Sequence, residues 1–238
     1  MIITIHQPEH LPWLGFFNKL SKAEKFVILD SVPYRKNYFQ NRNRIMGSNG
    51  VQFIGIPAVN AGHIEGTIAT TKIAIQGNAN WRTKYLNTIK MSYSKHPFFS
   101  EVYPILEKAI MLETEYLADI NIAIFTSFAD RMGVKPEYVK SSALDVQGAK
   151  SDLILDICKN LGSSTYIAGP SGRDYLDMQS FADAGIKVVF NDYHHPSYPQ
   201  RKAKQFVPYL SALDLFMNCG FDEGRIVIME GNEGVSEF

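Results

Sequence analysis

The sequence predicts an α/β fold with a mainly parallel central sheet flanked by helices. Short β-rich runs alternate along the chain with longer segments whose apolar residues recur at helical spacing. Glycines follow several of the helical segments, as is common at helix C-termini. The chain also opens with a strand, a helix and a second strand, and such a unit normally joins two parallel strands.

The elements are expected in the following order. Strands are predicted at residues 1–5, 25–29, 51–56, 73–75, 165–168 and 187–190. Helices are predicted at residues 12–23, 81–91, 100–112, 115–132, 151–161, 175–184 and 205–216. Pro12 marks the start of the first helix, because the N–H that proline lacks would be unpaired in a first turn. The same proline is expected to hold Leu11 in extended geometry.

The length and composition predict a single globular α/β domain over residues 1–238. With 238 residues and 45% hydrophobic content, the chain can bury one sizeable core. A polar, glycine-containing stretch near residues 60–71 predicts an excursion from the domain, and the residues from about 231 onward predict a flexible tail.

Charge and cysteine content exclude several functional classes. Lysine plus arginine equals aspartate plus glutamate at 24 each, so there is no net field to attract nucleic acid, and no nucleic-acid partner is expected. No apolar run approaches the ~20 residues that a membrane helix needs, so no membrane insertion is expected. Cys158 and Cys219 form no CxxC pair, which predicts neither a disulfide framework nor a zinc site and favours a cytoplasmic protein.

A histidine and an aspartate follow the first two predicted strands. His6 ends the first strand and Asp30 ends the second, and parallel strands bring their carboxyl ends to the edge of the sheet where ligands bind. We therefore predict that Asp30 orients His6 as a general base. The alternative is a structural histidine that only forms hydrogen bonds.

The spacing of His6 and His10 raises two further alternatives. Four residues apart on a helix, the two imidazoles would align for a metal ion, but Pro8 and Pro12 disfavour a helix here and no third ligand is evident, so no metal is predicted. The stretch HQPEHLPWLG also resembles loosely the HxGH signature of nucleotidyltransferases, with a longer spacing and proline in the turn.

The segment SVPYRKNYFQNRNRI, residues 31–45, mixes basic, aromatic and amide side chains. If it is extended, Tyr38, Arg42 and Arg44 share one face, because side chains alternate along a strand. Arginine forks match phosphate oxygens and tyrosines stack on rings, so the segment predicts a nucleotide or nucleotide-sugar site. A solvated edge strand guarded by charges is the alternative.

Two loops in the second half are further candidates. The run TYIAGPSGRDYLD places Ser171 and Gly172 in a turn after a predicted strand, where backbone N–H groups can hold an anion, although a plain strand-to-helix turn is the more common explanation. The run NDYHHPSYPQR carries imidazole and aromatic groups but no clustered carboxylates, which argues against a glycosidase acid pair. Cys158 lies in an apolar stretch typical of an inert thiol.

Several of these motifs together resemble the WbqC-like protein family. The motifs are HQPEHLPWLGFFNKL, FVILD, QNRNRI, SGRDYLD, HPSYPQ and LSALDLFMNCG, in matching order from the first residues to about Gly220. The resemblance implies a role in bacterial O-antigen or related surface-polysaccharide (lipopolysaccharide) biosynthesis, and it implies no catalytic residue. The positions that match its motifs are His6, Gln7, Trp13, Asp30, Asn41, Arg42, Ser171, Gly172, Tyr175, Tyr198 and Gln200.

The residues and the resemblance together predict a tailoring enzyme that transfers an acyl or aminoacyl group to a nucleotide-linked amino sugar. His6 would take the amine proton, Asp30 would orient it, and Arg42 with Arg44 would hold the diphosphate. The predicted substrate-binding residues are Gln7, His10, Trp13, Tyr38, Asn41, Arg42, Arg44, Ser171, Gly172, Tyr175, Tyr198 and Gln200. The expected donor is an acyl thioester or acyl-adenylate, since no covalent nucleophile is evident.

Two alternatives to this enzyme stay open at this point. One is a non-catalytic nucleotide-sugar-binding or scaffold protein of the same pathway, and the other is a nucleotidyltransferase-like enzyme. The sequence specifies neither a cofactor nor an oligomeric state.

Overall fold

The structure is a computed structural model that describes residues 1–36, 38–59, 66–75, 79–201 and 203–231. Within these residues, five strands form one parallel sheet in the order β5-β2-β1-β6-β7, and two more form an antiparallel hairpin, β3-β4. The strands are β1 (Ile2–His6), β2 (Lys25–Ile28), β3 (Arg42–Gly47), β4 (Gly50–Gly55), β5 (Glu137–Lys140), β6 (Thr165–Ala168) and β7 (Lys187–Phe190).

Helices cover both faces of the parallel sheet. They are α1 (Leu14–Ser21), α2 (Trp81–Tyr93), α3 (Phe99–Ile110), α4 (Leu117–Arg131), α5 (Ser151–Asn160), α6 (Met178–Asp183) and α7 (Ala212–Glu230). Side chains alternate along β2, so that Phe26 packs with α1, α4 and α7 on one face while Val27 packs with α5 and α6 on the other. The predicted α/β class is confirmed.

The order of the strands creates a topological switch point beside β1. The chain leaves β1, builds outward through β2 to β5, and then returns to the other side of β1 as β6. The pairing of β1 with β6 ends at Thr4 and Ile167, one residue before Ile5. Open α/β proteins bind ligands in the crevice outside the strand ends at such a point.

Several elements differ from the sequence prediction. Strands β3 and β5 were not predicted, and the predicted strand at 51–56 belongs to the hairpin rather than to the central sheet. Instead of a strand at 73–75, Ile73 makes an isolated bridge to Ala58. The last helix begins at Ala212, not at 205, because Pro208 disfavours helical geometry in the residue before it and Tyr209 has a φ of 61°.

The backbone between β1 and α1 also departs from expectation. Leu11 has a φ of 44° and is fully buried, so Pro12 does not hold it in extended geometry. Part of the predicted excursion, residues 60–65, lies outside the described residues, and so do residues 232–238 of the predicted tail. Within residues 66–71 the chain forms a short 3-10 turn, Ile68–Thr70, with Ile68 buried.

Across the part of the chain that the structure describes, no helix is both long enough and apolar enough to cross a membrane.

Candidate active site

The switch point holds a buried lysine. The carbonyl of His6 accepts from Leu29 on the β2 side, so the carbonyl of Ile5 faces the β6 side, where strand pairing has ended. Lys19 on α1 donates from Nζ to that carbonyl at 3.1 Å. The ammonium group therefore lies in the gap between the carboxyl ends of β1 and β6.

His6 presents an unprotonated ring nitrogen at the same edge. Its Nδ1 lies 3.0 Å from the carbonyl oxygen of Gln7, which can only accept, so Nδ1 carries the proton and Nε2 carries the lone pair. The ring packs edge-on against Phe16 and stays partly exposed. Burial, followed by the charge of Lys19, lowers the pKa of His6 to about 3, so the ring is neutral at pH 7.

Glu9 and Lys19 are two buried ionisable groups that influence each other. Only 7% of Glu9 and 4% of Lys19 is exposed. Burial raises the pKa of Glu9 to about 7, with Lys19 opposing the rise, and burial lowers the pKa of Lys19 to about 7, with Glu9 opposing the fall. No described residue donates a hydrogen bond to the Glu9 carboxyl. A proton can therefore reside on either group near neutral pH.

The neighbouring strand β6 is followed by a residue without a side chain. Gly169 directly follows β6, and a Cβ atom placed there would meet no heavy atom within 4 Å. We call the sheet edge marked by His6, Glu9, Lys19 and Gly169, at the carboxyl ends of β1 and β6, the β1–β6 crevice. It combines a hydrogen-bond acceptor, a carboxyl, an amine and a residue without a side chain at the switch point.

The predicted pair of His6 and Asp30 does not form. Both oxygens of the buried Asp30 carboxylate accept from the turn after β5, Oδ1 from Ser141 Oγ and Ser142 N at 3.1 and 2.9 Å and Oδ2 from Ser142 Oγ at 2.9 Å. No hydrogen bond joins it to His6 within the described residues. Asp30 holds the ends of β2 and β5 together, because nearby hydroxyl and amide donors satisfy its charge.

His10 is a structural residue and not part of a substrate surface. Its ring is fully buried, with Nδ1 3.0 Å from Asn121 Oδ1 and Nε2 2.9 Å from the Tyr85 hydroxyl. Asn121 in turn donates to the carbonyls of Pro8 and Gln40, so this network clamps the loop after β1 onto α2 and α4. Burial lowers the pKa of His10 to about 4.

The predicted polar face of residues 31–45 is not a continuous strand. Only residues from Arg42 onward are extended, and Asn37 lies outside the described residues. Gln7 accepts at 2.7 Å from the buried Gln40, and Asn41 donates to the carbonyl of Ile56, so both amides brace the loop. Tyr38 is exposed beside Phe39.

The two predicted phosphate-binding arginines have different surroundings. The Arg42 guanidinium lies 4.6 Å from the centre of the Phe53 ring on β4. Arg44 donates to the carbonyl of Tyr209 at 2.9 Å, and none of its other N–H groups has a hydrogen-bond partner among the described residues. Arg44 therefore retains donors for an anion next to the loop that follows β7.

The turn after β6 is less suited to anion binding than predicted. Gly172 is buried, and its N–H already donates to the carbonyl of Gly169 at 2.9 Å. A Cβ there would lie 3.0 to 3.2 Å from Leu176, Phe190 and Ala168, so the glycine permits close packing. Ser171 and Tyr175 are both exposed on this turn.

Tyr198 and Gln200 belong to a buried cluster around Asp214, which lies in the first turn of α7. Tyr198 Oη and Gln200 Nε2 donate to Asp214 Oδ2 at 3.1 and 3.3 Å, and Tyr93 Oη donates to Oδ1 at 2.9 Å. Burial raises the pKa of Asp214, although these donors oppose the rise. The cluster ties the loop after β7 to α2 and α7, so the predicted substrate contacts of Tyr198 and Gln200 are replaced by structural ones.

Trp13 contacts aromatic rings of the loop that follows β7. It packs edge-on against Tyr193, is nearly parallel to His195, and is tilted against Tyr209. Trp13 immediately precedes α1, the helix that carries Phe16 and Lys19, so the same helix connects this aromatic group to the crevice residue Lys19.

Sequence reasoning missed Glu9 and Lys19. A signal for Lys19 was present, because it lies on the same helical face as Phe16 and Leu20, where an ionisable residue is unexpected. Glu9 carried no comparable signal, since a glutamate in a polar loop is ordinarily exposed. Its burial depends on how α1 covers the loop.

Other chemistry is sparse in the described part of the chain. No group of three or more histidine, cysteine or acidic residues is arranged to hold a metal ion there. Cys158 and Cys219 are free and buried, and burial raises their pKa values to about 12 and 11. A shallow depression of about 490 Å³ between Asp145, Asp156 and Lys159 lies away from the crevice and is too acidic for a phosphate.

Comparison with known proteins supports one family. A model of the WbqC-like protein family matches residues 7–226, a span that includes Glu9, Lys19 and Gly169. The chain is similar to the uncharacterized protein Rv1507c of Mycobacterium tuberculosis (strain ATCC 25618 / H37Rv), with 27% identity over 220 residues that cover 92% of this chain and 94% of the relative. No solved structure matches.

Proposed function

The chain belongs to the WbqC-like protein family, and on that premise we propose that it transfers an acyl or aminoacyl group to the amine of a nucleotide-linked sugar in surface-polysaccharide biosynthesis. The observation that carries the proposal is the Glu9 carboxyl. It is buried at the switch point, no described residue donates a hydrogen bond to it, and its pKa of about 7 suits a general base at neutral pH.

The reaction assigns separate roles to the crevice residues. The sugar amine donates a hydrogen bond to His6 Nε2, which positions its lone pair toward the carbonyl carbon of the donor. As the C–N bond forms, Glu9 takes the amine proton, and the C–S bond of a thioester donor, or the C–O bond of an acyl-adenylate, then breaks. The proton passes from Glu9 to the leaving sulfur or is released with the nucleotide.

Lys19 and Gly169 complete the site. The ammonium form of Lys19 lies where negative charge develops on the carbonyl oxygen, and stabilising that charge contributes strongly to the acceleration of acyl transfer. Gly169 leaves room for the acyl group. His6 thereby changes from the predicted base to a hydrogen-bond acceptor, because a ring with a pKa of about 3 has little tendency to take a proton.

To test the proposal, the purified protein is incubated with nucleotide-linked amino sugars and either acyl-CoA thioesters or acyl-adenylates. The mass of the sugar nucleotide is then measured over time. The proposal expects a mass increase equal to the acyl group with one donor class. Glu9→Gln should remove turnover, and the control His194→Ala, an exposed imidazole on the same edge, should retain it. Binding of the sugar nucleotide without any mass change under all donors would instead favour the non-catalytic binding protein.

A further inference from the structure

We propose that Trp13, His195 and Tyr209, here called the ring subsite, bind the planar heterocyclic base of a nucleotide. The inference rests on the proposed function for the choice of a nucleotide as substrate. The group is connected to the crevice by α1, which begins after Trp13 and carries Lys19, and it is separate from the residues that act on the amine.

The three rings form a platform that a flat guest can cover. The Trp13 and His195 rings are 18° from parallel with centroids 6.5 Å apart. This is less than the about 7 Å that a ring contacting both faces would need, because carbon atoms pack at about 3.5 Å, so the base covers the outside of the cluster. Tyr209 packs 5.2 Å from His195 and 6.1 Å from Trp13 and is the most exposed of the three. Stacking on such aromatic faces is a common way to hold a base.

His195 supplies a specific hydrogen-bond requirement. Its Nδ1 lies 2.9 Å from the carbonyl oxygen of Pro196, so Nδ1 carries the proton of the neutral ring and Nε2 is an acceptor. Nε2 is buried and has no partner in the described structure. A buried acceptor without a donor costs free energy, and an N–H group on the edge of a base would satisfy it when the Tyr209 ring turns away from His195.

Tyr209 is held in an unfavourable conformation at the surface. Its φ of 61° is rare for a residue with a side chain, and 54% of the residue is exposed. Arg44 fixes this backbone by donating to the Tyr209 carbonyl. Strained residues of this kind cluster at ligand sites, and an exposed tyrosine gains buried area when a base covers it.

The same arginine provides charge complementarity for the rest of the nucleotide. Its remaining N–H donors stand next to the ring subsite and suit the phosphate attached to the base's ribose. Trp13 precedes the first residue of α1 and Lys19 lies six residues further on, about 9 Å along the helix axis. A ribose and diphosphate can bridge that separation, which would place the sugar amine in the crevice.

Fluorescence offers a test that does not depend on turnover. The chain has two tryptophans, and Trp81 is buried in α2, so Trp81→Phe leaves Trp13 as the reporter. The titrants are UMP, CMP, GMP and AMP, with ribose 5-phosphate as the ligand that lacks a base. The proposal expects saturable quenching by at least one nucleotide and none by ribose 5-phosphate.

Variants separate stacking from the hydrogen bond and the charge. Tyr209→Ala should weaken nucleotide binding about tenfold. His195→Phe, which keeps a ring but removes the acceptor, should weaken it severalfold, and Arg44→Met should weaken a nucleotide more than its nucleoside. The matched control is Phe39→Ala, because Phe39 is an exposed aromatic residue, at 37%, with no hydrogen bond or ring contact to Arg44 or the three rings in the described structure; it should bind as the parent does.

Either inference can fail without the other. Three outcomes overturn the ring subsite even if acyl transfer is observed. They are no quenching by any nucleotide, equal quenching by ribose 5-phosphate, and unchanged quenching in both Tyr209→Ala and His195→Phe. Quenching that follows the expected pattern while no acyl transfer occurs with any donor supports the ring subsite and removes the proposed chemistry.

Discussion

Two buried carboxyls, Glu9 and Asp214, show how opposite environments assign opposite roles to the same chemical group. Asp214 accepts hydrogen bonds from Tyr93, Tyr198 and Gln200, so its oxygens are committed to holding the loop after β7 in place. Glu9 has a lysine nearby but no described hydrogen-bond donor. Burial raises both pKa values, but only Glu9 is left with capacity to exchange a proton with a ligand.

The largest expected effect of this contrast is on catalysis. Glu9→Gln keeps the shape of the side chain but cannot take a proton, so kcat for acyl transfer should fall by about 100-fold or more. The free energy of unfolding, measured in urea, should not fall in parallel. A variant that keeps full turnover would show that Glu9 is not the base.

The opposite outcome is expected at Asp214. Asp214→Ala leaves the hydroxyls of Tyr93 and Tyr198 without their acceptor, whereas Gln200 Nε2 keeps the carbonyl of Val207. Unpaired buried groups of this kind cost about 1–3 kcal/mol each. The free energy of unfolding should therefore fall by about 4 kcal/mol. If Asp214→Ala unfolds at the same urea concentration as the parent, the cluster is not the structural anchor inferred here.

Acid titration extends the comparison to His10, a buried group with both nitrogens paired. Its pKa is lowered from 6.5 to about 4, so its contribution to stability is present above pH 6.5 and is lost as the pH falls toward 4. The shift corresponds to about 3 kcal/mol, at about 1.4 kcal/mol for each unit. Urea unfolding between pH 7.5 and about 4 measures it.

Variants isolate this pH effect. His10→Asn should show a shallower loss of stability on acidification, whereas His194→Asn, at an exposed position, should follow the parent. The lowered pKa of His6 adds a further loss of stability on acidification, and both variants retain that loss. An unchanged slope in His10→Asn would contradict the assignment.

The smallest effects distinguish two glycines of the same turn. Gly172→Ala brings a Cβ to 3.0 Å from Leu176, so it should destabilise the fold by about 1 kcal/mol. Gly169→Ala meets no neighbour and should leave the melting temperature unchanged, but its methyl group enters the crevice and should raise KM for the donor. Equal KM values for Gly169→Ala and the parent would place the acyl group elsewhere.

Local sequence patterns determined most of the fold. The apolar runs that became β1, β2, β6 and β7 and the periodic segments that became α1 to α6 were predictable, because burial of alternating or helically spaced side chains is a local property. The last helix was predicted at residues 205–216, and it lies at Ala212–Glu230. Strand β5 is an edge strand, which needs little apolar surface, and it carries the polar residues Glu137 and Lys140. No apolar run therefore marked it as a strand in the sequence.

The tertiary structure decided which polar residues are free to react. The sequence placed His6 and Asp30 at the correct edge of the sheet. The two serines that donate hydrogen bonds to the Asp30 carboxylate, however, lie 111 and 112 residues further along the chain. Burial of Glu9 and Lys19 likewise depends on α1 folding over the end of β1. Hydrogen bonding and desolvation act between residues distant in sequence, so only the folded chain separates the proposed base from the carboxyls that hold the structure together.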